Sequence, residues 1–433
     1  MTTPLAAAAW HGRLLDAGAF ALLALSLLLP SGYAIGSLML LAAGLLRWPQ
    51  FWHAWRSGSV RLGSMGMWAA AIAVMTLAWA MHTIVDGEIL WKALVNSLGL
   101  DRCLKYLLVL LALPAFWGQR PGAAALRWGC WLGAAGAGAL ALWQMLARGM
   151  ERAEGYTNAI QFGSIALLLG VWSAVWALHA RHNGASPTMR AMGWAAAALG
   201  LLACILSGSR GVWLALPLLA LMLALLAVAL RARPVRRAAP VLLAATAASL
   251  LLLALPPVQE RTALALHEWQ QAQSAPAKAN TSIGLRRAFW ALAIELGREH
   301  PLVGVGQLGY ERAQEEAARQ RRIPMHATVF NHAHSDWLDV WAKRGLLGCA
   351  ALALFYAVPA ALLWRHWRQA LRLAPPDAAR AAAALCGLMA VAGYLVFGMT
   401  QAMFVHNNSN MVYLFGVSLW LAASAPEQRE GAA

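Results

Sequence analysis

The feature that most constrains this chain is a series of long apolar runs, rich in Ala and Leu and close in length to a bilayer-spanning helix. A helix needs about 20 mostly apolar residues to cross the hydrocarbon core. Of the 433 residues, 61% are hydrophobic and only 12% are charged, whereas soluble domains average about 25% charged residues. A membrane β-barrel would instead show short segments of alternating hydrophobicity. The sequence therefore predicts an all-α polytopic membrane protein.

Turn residues and charged segments between the runs delimit about twelve transmembrane helices. Residues 1–255 form a transmembrane bundle of about nine spans, 256–333 a helical loop, and 334–433 the last three spans with a tail. The first apolar run, Ala17 to Leu29, is not followed by a clear signal-peptidase site and is expected to be an uncleaved span. The twelve predicted spans are 14–30, 33–46, 65–84, 97–117, 124–147, 158–178, 189–206, 210–230, 238–255, 335–363, 379–403 and 409–424.

The positions of the basic residues predict the orientation of the chain. Placing the N-terminus in the cytoplasm puts half of the 34 Lys and Arg residues in inside segments, whereas the short outside connections carry few. Cytoplasmic loops are enriched in Lys and Arg, so both termini are predicted to be cytoplasmic and the 256–333 loop external. The formal charge of +16 is then largely a matter of topology, and no nucleic-acid partner is expected.

The external loop is expected to contain three helices, over about 258–272, 285–299 and 307–321. The middle helix has an apolar stripe that includes Leu285, Phe289 and Leu296, with Thr281 and Ser282 as possible N-caps. Such a helix is expected to lie along the outer membrane surface. The run Gly304 to Gly309 matches GxGxxG but lacks the strand that a dinucleotide fingerprint requires, so these glycines are interpreted as a turn.

Three ionisable residues from distant parts of the chain are predicted to meet at the outer face. Arg210 begins the eighth span, Arg286 begins the middle loop helix with Arg287 beside it, and His334 precedes the tenth span. Arginine presents a planar, permanently charged fork to phosphoryl oxygens, and histidine can act as a general base. The alternative, purely structural interpretations are that the arginines lie at the membrane interface and reach the headgroups, and that the histidine forms a hydrogen bond at the start of a helix.

Further polar residues at the same face are candidates for sugar binding or for supporting the histidine. A metal site at His332, His334 and Asp336 is disfavoured, because ligands two residues apart do not share a helix face. No metal or organic cofactor is expected. The alternative for each of these additional candidates is an ordinary loop residue without a functional role. They are Arg152, Tyr156, Asn158, His332, Asp336 and Asn407.

Three motifs resemble the O-antigen ligase and O-antigen polymerase superfamily. They are SGSRGVWLA at 207–215, GLRRAFWALAIELGREHPLVGVG at 284–306 and HAHSDWLDVWAKRGLLG at 332–348. Their order and the large loop between late spans are also similar. The resemblance implies a multi-pass glycosyltransferase of the bacterial inner membrane, similar to the lipid-linked C-type transferases, with its active site in the periplasm.

The resemblance also implies a reaction and residue roles. Members of this family take a glycan from undecaprenyl pyrophosphate, and the ligases transfer it to lipid A–core oligosaccharide with inversion and without a metal or nucleotide. The motif positions make His334 the catalytic histidine and Arg210 and Arg286 the pyrophosphate-binding arginines, with Arg287 as the alternative to Arg286. Ser335-Asp336 stands where relatives often have Asn after the histidine.

Other functions remain open at this stage. An O-antigen polymerase or a protein O-oligosaccharyltransferase would use similar chemistry and similar motifs. A lipid-linked glycan transporter belongs to a different class, and transporters often show internal repeats and ionisable groups near the bilayer midplane. The sequence has no evident repeat, and its suspected site residues are predicted to cluster at one face, which favours an enzyme.

Overall fold

The computed structural model describes residues 4–58, 63–85, 100–229 and 281–426, together with 259–260, 263–264 and 270. All regular secondary structure in these ranges is helical, which confirms the all-α fold class. The predicted ninth span at 238–255 and most of the predicted first loop helix at 258–272 lie outside the described residues.

Nine helices precede the loop within the residues that the structure describes. Two prolines occupy positions where a missing backbone N–H is tolerated: Pro187 in the first turn of its helix and Pro114 at the start of the 3-10 turn Leu113–Phe116. The helices are α1 (Pro4–Leu25), α2 (Gly32–Arg56), α3 (Gly63–Val85), α4 (Leu100–Ala112), α5 (Ala123–Leu146), α6 (Ala159–His182), α7 (Pro187–Leu206), the single turn α8 (Arg210–Trp213) and α9 (Leu216–Ala229).

Five helices follow within residues 281–426. Two belong to the loop, α10 (Ser282–Glu299) and α11 (Gly306–Arg319), and they confirm the second and third predicted loop helices. Thr281 caps α10 by accepting a hydrogen bond from Gly284 N at 3.1 Å. The remaining helices are α12 (Asp336–Arg372), α13 (Ala378–Thr400) and α14 (Asn407–Ser424).

Seven of the described helical segments are long and apolar enough to cross a membrane: Gly63–Met81, Ala123–Leu146, Ala159–His182, Pro187–Leu206, Arg210–Ala227, Asp336–Arg372 and Ala378–Thr400. They correspond to seven of the predicted spans. Helices α1, α2, α4 and α14 also form at predicted spans but are not among these seven. The chain is thus a multi-pass membrane protein, and the total of twelve spans stays a prediction.

The bundle core centres on α6, which is buried along most of its length. Trp172 on α6 donates to the backbone oxygen of Cys386 on α13 at 2.8 Å and packs edge-on against Trp420 of α14. Helices α6 and α7 approach closely at Gly170 and Gly200, where a Cβ on Gly200 would lie 2.7 Å from Gly170 Cα. Small residues allow such close backbone packing between membrane helices.

The loop helices form a second, smaller core. Phe289, Leu292 and Leu296 of α10 are buried together with Tyr310 of α11 and Ala342 of α12. The predicted apolar stripe on α10 therefore exists, but it packs inside the protein. The expectation that this face lies along the membrane surface is wrong, because α11 and the start of α12 cover the apolar side chains that lipid would have contacted.

Helix α12 bends at Gly345, where φ is 56° and ψ is −154°. The chain that follows α10 fills the bend: Leu346 N donates to Pro301 O at 2.8 Å and Val305 N to Ala342 O at 2.9 Å. Gly304 and Gly306, both with positive φ, form the turn that the glycine-rich run predicts. This bend joins the loop to the last spans and holds the start of α12 against α10.

Candidate functional site

His334 lies in the short connection that leads into α12, and its backbone is left-handed with φ 52°. This conformation is uncommon for a residue other than glycine and is frequently found at functional sites. The His334 backbone N–H donates to Nδ1 of His332 at 3.2 Å, and the two rings stand edge to face with their centroids 4.2 Å apart. The neighbouring ring thus supports the unusual backbone.

Gln401, the residue after α13, determines which nitrogen of His334 carries a proton. Its Oε1 lies 2.8 Å from His334 Nδ1, while its Nε2 lies 3.1 Å from His406 Nε2. A carbonyl oxygen can only accept, so His334 Nδ1–H donates and the lone pair of a neutral ring is on Nε2. The amide N–H in turn donates to His406. Gln401 therefore leaves His334 Nε2 available as a base.

The surroundings also keep this histidine neutral. Burial lowers the pKa of His334 below its ordinary value of 6.5, and the positive charge of Arg286 lowers it further, while the hydrogen bond to Gln401 raises it. Burial also lowers the pKa of His332 well below 6.5 and that of His406 to about 4. At neutral pH His334 is therefore deprotonated at Nε2 and ready to accept a proton.

Helix α10 supplies both an aromatic face and a cation to His334. The Phe289 ring stacks on the imidazole with centroids 5.6 Å apart and an interplanar angle of 22°, and Phe330 packs at 5.3 Å. Arg286 is one turn before Phe289, so both residues share a helix face. The charge of Arg286 is near enough to lower the pKa of His334. A base and a permanent cation thus face the same region.

A buried ion pair on α12 holds the histidine segment from both sides. Lys343 Nζ lies 2.6 Å from Asp339 Oδ1, and both side chains are essentially inaccessible. Asp339 also accepts from Ala333 N at 3.0 Å, and Lys343 donates to Asn331 O at 2.8 Å. The carboxylate and the ammonium group thus each bind one end of the segment 331–333. This arrangement fixes the backbone that precedes His334.

The predicted cation Arg210 begins α8, directly after the turn at Ser207–Ser209. Arg152 orders this turn, because its Nε donates to Ser207 O at 2.8 Å and its Nη2 to Ser209 Oγ at 3.2 Å. A Cβ on Gly211 would lie 2.2 Å from Thr400 Oγ1. Arg210 therefore begins next to the end of α13, where Gln401 contacts His334. Arg152 therefore supports the turn that precedes Arg210, and a contact of Arg152 with sugar stays a prediction.

Two other predicted site residues also serve the architecture. Asn158 caps α6 by accepting from Ile160 N at 3.1 Å and Gln161 N at 3.0 Å. Asp336 is buried and accepts from Phe404 N at 3.2 Å, which ties the start of α12 to the segment before α14. Tyr156 and Asn407 are different, because both line a cavity of about 290 Å³ beside His406.

The Arg287 side chain is partly buried on α10.

Three residues that shape the site were not predicted from the sequence, and a fourth, His406, was predicted only as part of a polar patch for sugar hydroxyls and not as a partner of Gln401. Gln401 directly follows an apolar helix, and a glutamine at that position is a usable signal. Asp339 and Lys343 are four residues apart on α12, a spacing that favours an ion pair. Their role was not visible because the backbone groups that they bind precede the helix.

An oriented base at the junction of a loop and several apolar helices, with an arginine whose charge acts on it, is typical of a membrane enzyme. Comparison with known proteins agrees with this class. Residues 195–353 match the model of the O-antigen ligase family, a region that contains Arg210, Arg286 and His334. The resemblance to this family of membrane-embedded glycan ligases and polymerases is confirmed for this part of the chain.

A relative from Haemophilus influenzae is described only as an uncharacterized protein. It is 25% identical over 279 residues, which are 64% of this chain and 67% of the relative. This match extends the similarity beyond the family region. It adds no information about activity.

Proposed function

We propose that this protein transfers an O-antigen glycan from undecaprenyl pyrophosphate to lipid A–core oligosaccharide at the periplasmic face of the bacterial inner membrane. The observation that carries the proposal is the contact between Gln401 Oε1 and His334 Nδ1 at 2.8 Å, which leaves Nε2 as the base beside Arg286. The family match over residues 195–353 supports a lipid-linked glycan as the substrate class.

In the proposed reaction, His334 Nε2 takes the proton of an acceptor hydroxyl group. The hydroxyl oxygen attacks the anomeric carbon of the donor sugar, and the bond from that carbon to the phosphate oxygen breaks. The electron pair leaves with undecaprenyl pyrophosphate, so the configuration at the anomeric carbon inverts. No change of oxidation state occurs, and the scheme uses no metal ion.

The arginines have the complementary role. Arg210 and Arg286 bind the pyrophosphate and stabilise the negative charge that develops on it, with Arg287 as an adjacent cation on α10. Fixed cations in a site of low dielectric are more effective than cations in water, since they need little reorganisation during the reaction. The Gln401 oxygen and the carboxylate of Asp339, whose charge raises the pKa of His334, stabilise the imidazolium that forms.

A reconstituted transfer assay tests the proposal. Purified protein would be incubated with undecaprenyl-pyrophosphate glycan and lipid A–core in EDTA, beside His334→Ala and Arg210→Ala. We expect a glycan-bearing lipid A product with the wild type and a loss of at least about 100-fold with either variant. Elongated carrier-linked glycan would instead identify a polymerase. Movement of the carrier across vesicles without any covalent product would contradict the proposal and favour a transporter.

A further inference from the structure

A small polar cleft lies beside the histidine cluster, and nothing in the proposed reaction uses it. Its volume is about 290 Å³. Three chain segments form its walls: the turn between α1 and α2, the loop between α5 and α6, and the start of α14. The last segment includes His406, whose Nε2 receives the N–H of Gln401. The cleft is therefore two hydrogen bonds away from His334.

The lining of the cleft has a distinct chemistry. It includes the rings of Tyr33 and Tyr156, the hydroxyl of Thr157 and the amides of Asn407 and Asn408, and none of its described lining residues is Lys, Arg, Asp or Glu. A pyrophosphate would find no fixed cation among these described lining residues. A lipid tail would offer the hydroxyl and amide groups no hydrogen bond. A sugar ring can pack against the aromatic side chains and can also form hydrogen bonds with the polar groups through its own hydroxyls.

The volume of the cleft and one unpaired amide oxygen in its wall agree with a small ligand that bears hydroxyl groups. Small-molecule sites usually occupy about 300–1,000 Å³, so this cleft accommodates a short unit and not a whole polysaccharide. Asn408 is 8% exposed, and its Oδ1 has no hydrogen-bond partner among the described residues. A buried amide oxygen without a partner is costly.

The walls are held in place before any ligand binds. Gln144 of α5 is buried and binds the loop through three bonds: its Oε1 accepts from Glu154 N at 3.0 Å and Gly155 N at 2.9 Å, and its Nε2 donates to Gly155 O at 3.0 Å. Lys105 of α4 donates to Asn407 Oδ1. Preorganised walls reduce the entropy that binding would otherwise lose.

We propose that this cleft is a saccharide subsite that holds one uncharged sugar unit of a glycan substrate beside the reacting centre. The inference rests on the proposed function, since it assumes that glycans are the substrates. The same chemistry would suit a sugar of the donor glycan or a sugar of the acceptor core. In either role the subsite orients the glycan and takes no part in proton transfer.

The test uses Tyr156→Ala, since Tyr156 is 54% exposed and its truncation removes a ring without opening the core. Tyr156→Phe keeps the ring, and Leu146→Ala, at a side chain that is 81% exposed and does not line the cleft, is the matched control. Initial rates would be measured with the donor varied at saturating acceptor and then with the acceptor varied. Saturation-transfer NMR would separately measure binding of the free, delipidated glycan.

We expect Tyr156→Ala to raise the KM for one of the two substrates about five-fold, the size of a typical aromatic contact, with kcat within two-fold. The substrate whose KM rises identifies the source of the sugar. Leu146→Ala should behave like the wild type, and Tyr156→Phe, which keeps the ring, should raise that KM less than Tyr156→Ala. Unchanged KM values for both substrates, with unchanged NMR binding, would overturn the subsite. If the wild type transfers nothing but binds glycan in a Tyr156-dependent way, the subsite stands and the proposed reaction fails.

Discussion

The side-chain oxygen of Gln401, at the end of α13, lies 2.8 Å from Nδ1 of His334, 67 positions earlier in the chain. This contact joins the last part of the bundle to the histidine segment and selects the tautomer of the ring. It also raises the pKa of His334, against the lowering effects of burial and of Arg286. The basicity of the site is therefore the outcome of three different parts of the fold.

The first prediction concerns the pH dependence of transfer. Activity requires neutral His334, so it should be lost as the pH falls through the lowered pKa of this group. Gln401→Glu places a negative charge at Nδ1 and should move the acid limb of kcat/KM upward by about one pH unit. Gln401→Ala removes a contact that raises the pKa, so its acid limb should move downward and its kcat should fall.

These opposite shifts distinguish control of basicity from a general loss of structure. Both variants would be compared with wild type over a pH series at saturating and limiting donor. An acid limb that stays at the same pH in both variants would show that Gln401 does not act on the titrating base.

The second prediction separates the two neighbouring arginines of α10. Arg286 is one turn before Phe289, which stacks on His334, and its charge lowers the pKa of that histidine. Arg286→Ala should therefore reduce kcat/KM by about 100-fold or more and move the acid limb upward. The Arg287 side chain projects about 100° further around the helix than that of Arg286. Arg287→Ala should therefore reduce kcat/KM much less and leave the acid limb of the pH profile unchanged. Equal effects of the two variants would contradict this assignment.

The third prediction concerns the buried pair that holds the histidine segment. Lys343→Met leaves Asp339 charged and unpaired in the interior, which typically costs about 3–5 kcal/mol of stability. The double variant Asp339→Asn with Lys343→Met leaves no such charge and should be more stable than the single variant. Thermal unfolding in detergent would measure both effects.

Arg319→Met is the matched control for this experiment, because Arg319 pairs with Glu315 through side chains that are 68% and 61% exposed. An exposed pair contributes at most about 1 kcal/mol to stability. The unfolding temperature of the Arg319→Met variant should therefore stay close to that of the wild type. If the double variant were as unstable as Lys343→Met, the unpaired charge would not be the cause.

The fourth prediction concerns the bend in α12. Gly345 has φ 56° and ψ −154°, a conformation that costs another residue about 1–3 kcal/mol. A Cβ there would also lie 2.5 Å from Leu302 C, so Gly345→Ala should lower the unfolding temperature and the transfer rate together. Gly416→Ala in α14 is the control, because its Cβ would meet nothing within 4 Å. Equal unfolding temperatures for the two variants would show that the bend tolerates a side chain.

Much of the architecture follows from the sequence, because membrane insertion depends on local properties. Long apolar runs predict helices in any context, since the backbone must satisfy its hydrogen bonds within each span. The helix Ser282–Glu299 directly follows Thr281, one of its two predicted caps. The family motifs at Arg210, Arg286 and His334 are likewise contiguous stretches that can be recognised without a structure.

The roles of the polar residues do not follow from the local sequence. Asn158 and Tyr156 are only two positions apart, yet Asn158 caps α6 and Tyr156 lines the cleft. Their residue types suit both roles, and only the direction of the backbone separates them. The apolar stripe of α10 was similarly read as a membrane contact, because its covering partners in α11 and α12 are distant in the sequence.

The sequence by itself determined that this is an all-helical membrane protein, and it singled out one histidine and the arginines predicted to act with it. The tertiary structure decided which nitrogen of His334 is the base, through Gln401, and what holds its backbone, through Asp339 and Lys343. The physical reason is the range of the interactions. Hydrophobicity and helix capping act between near neighbours, whereas the tautomer and pKa of a buried ring depend on groups that meet only after folding.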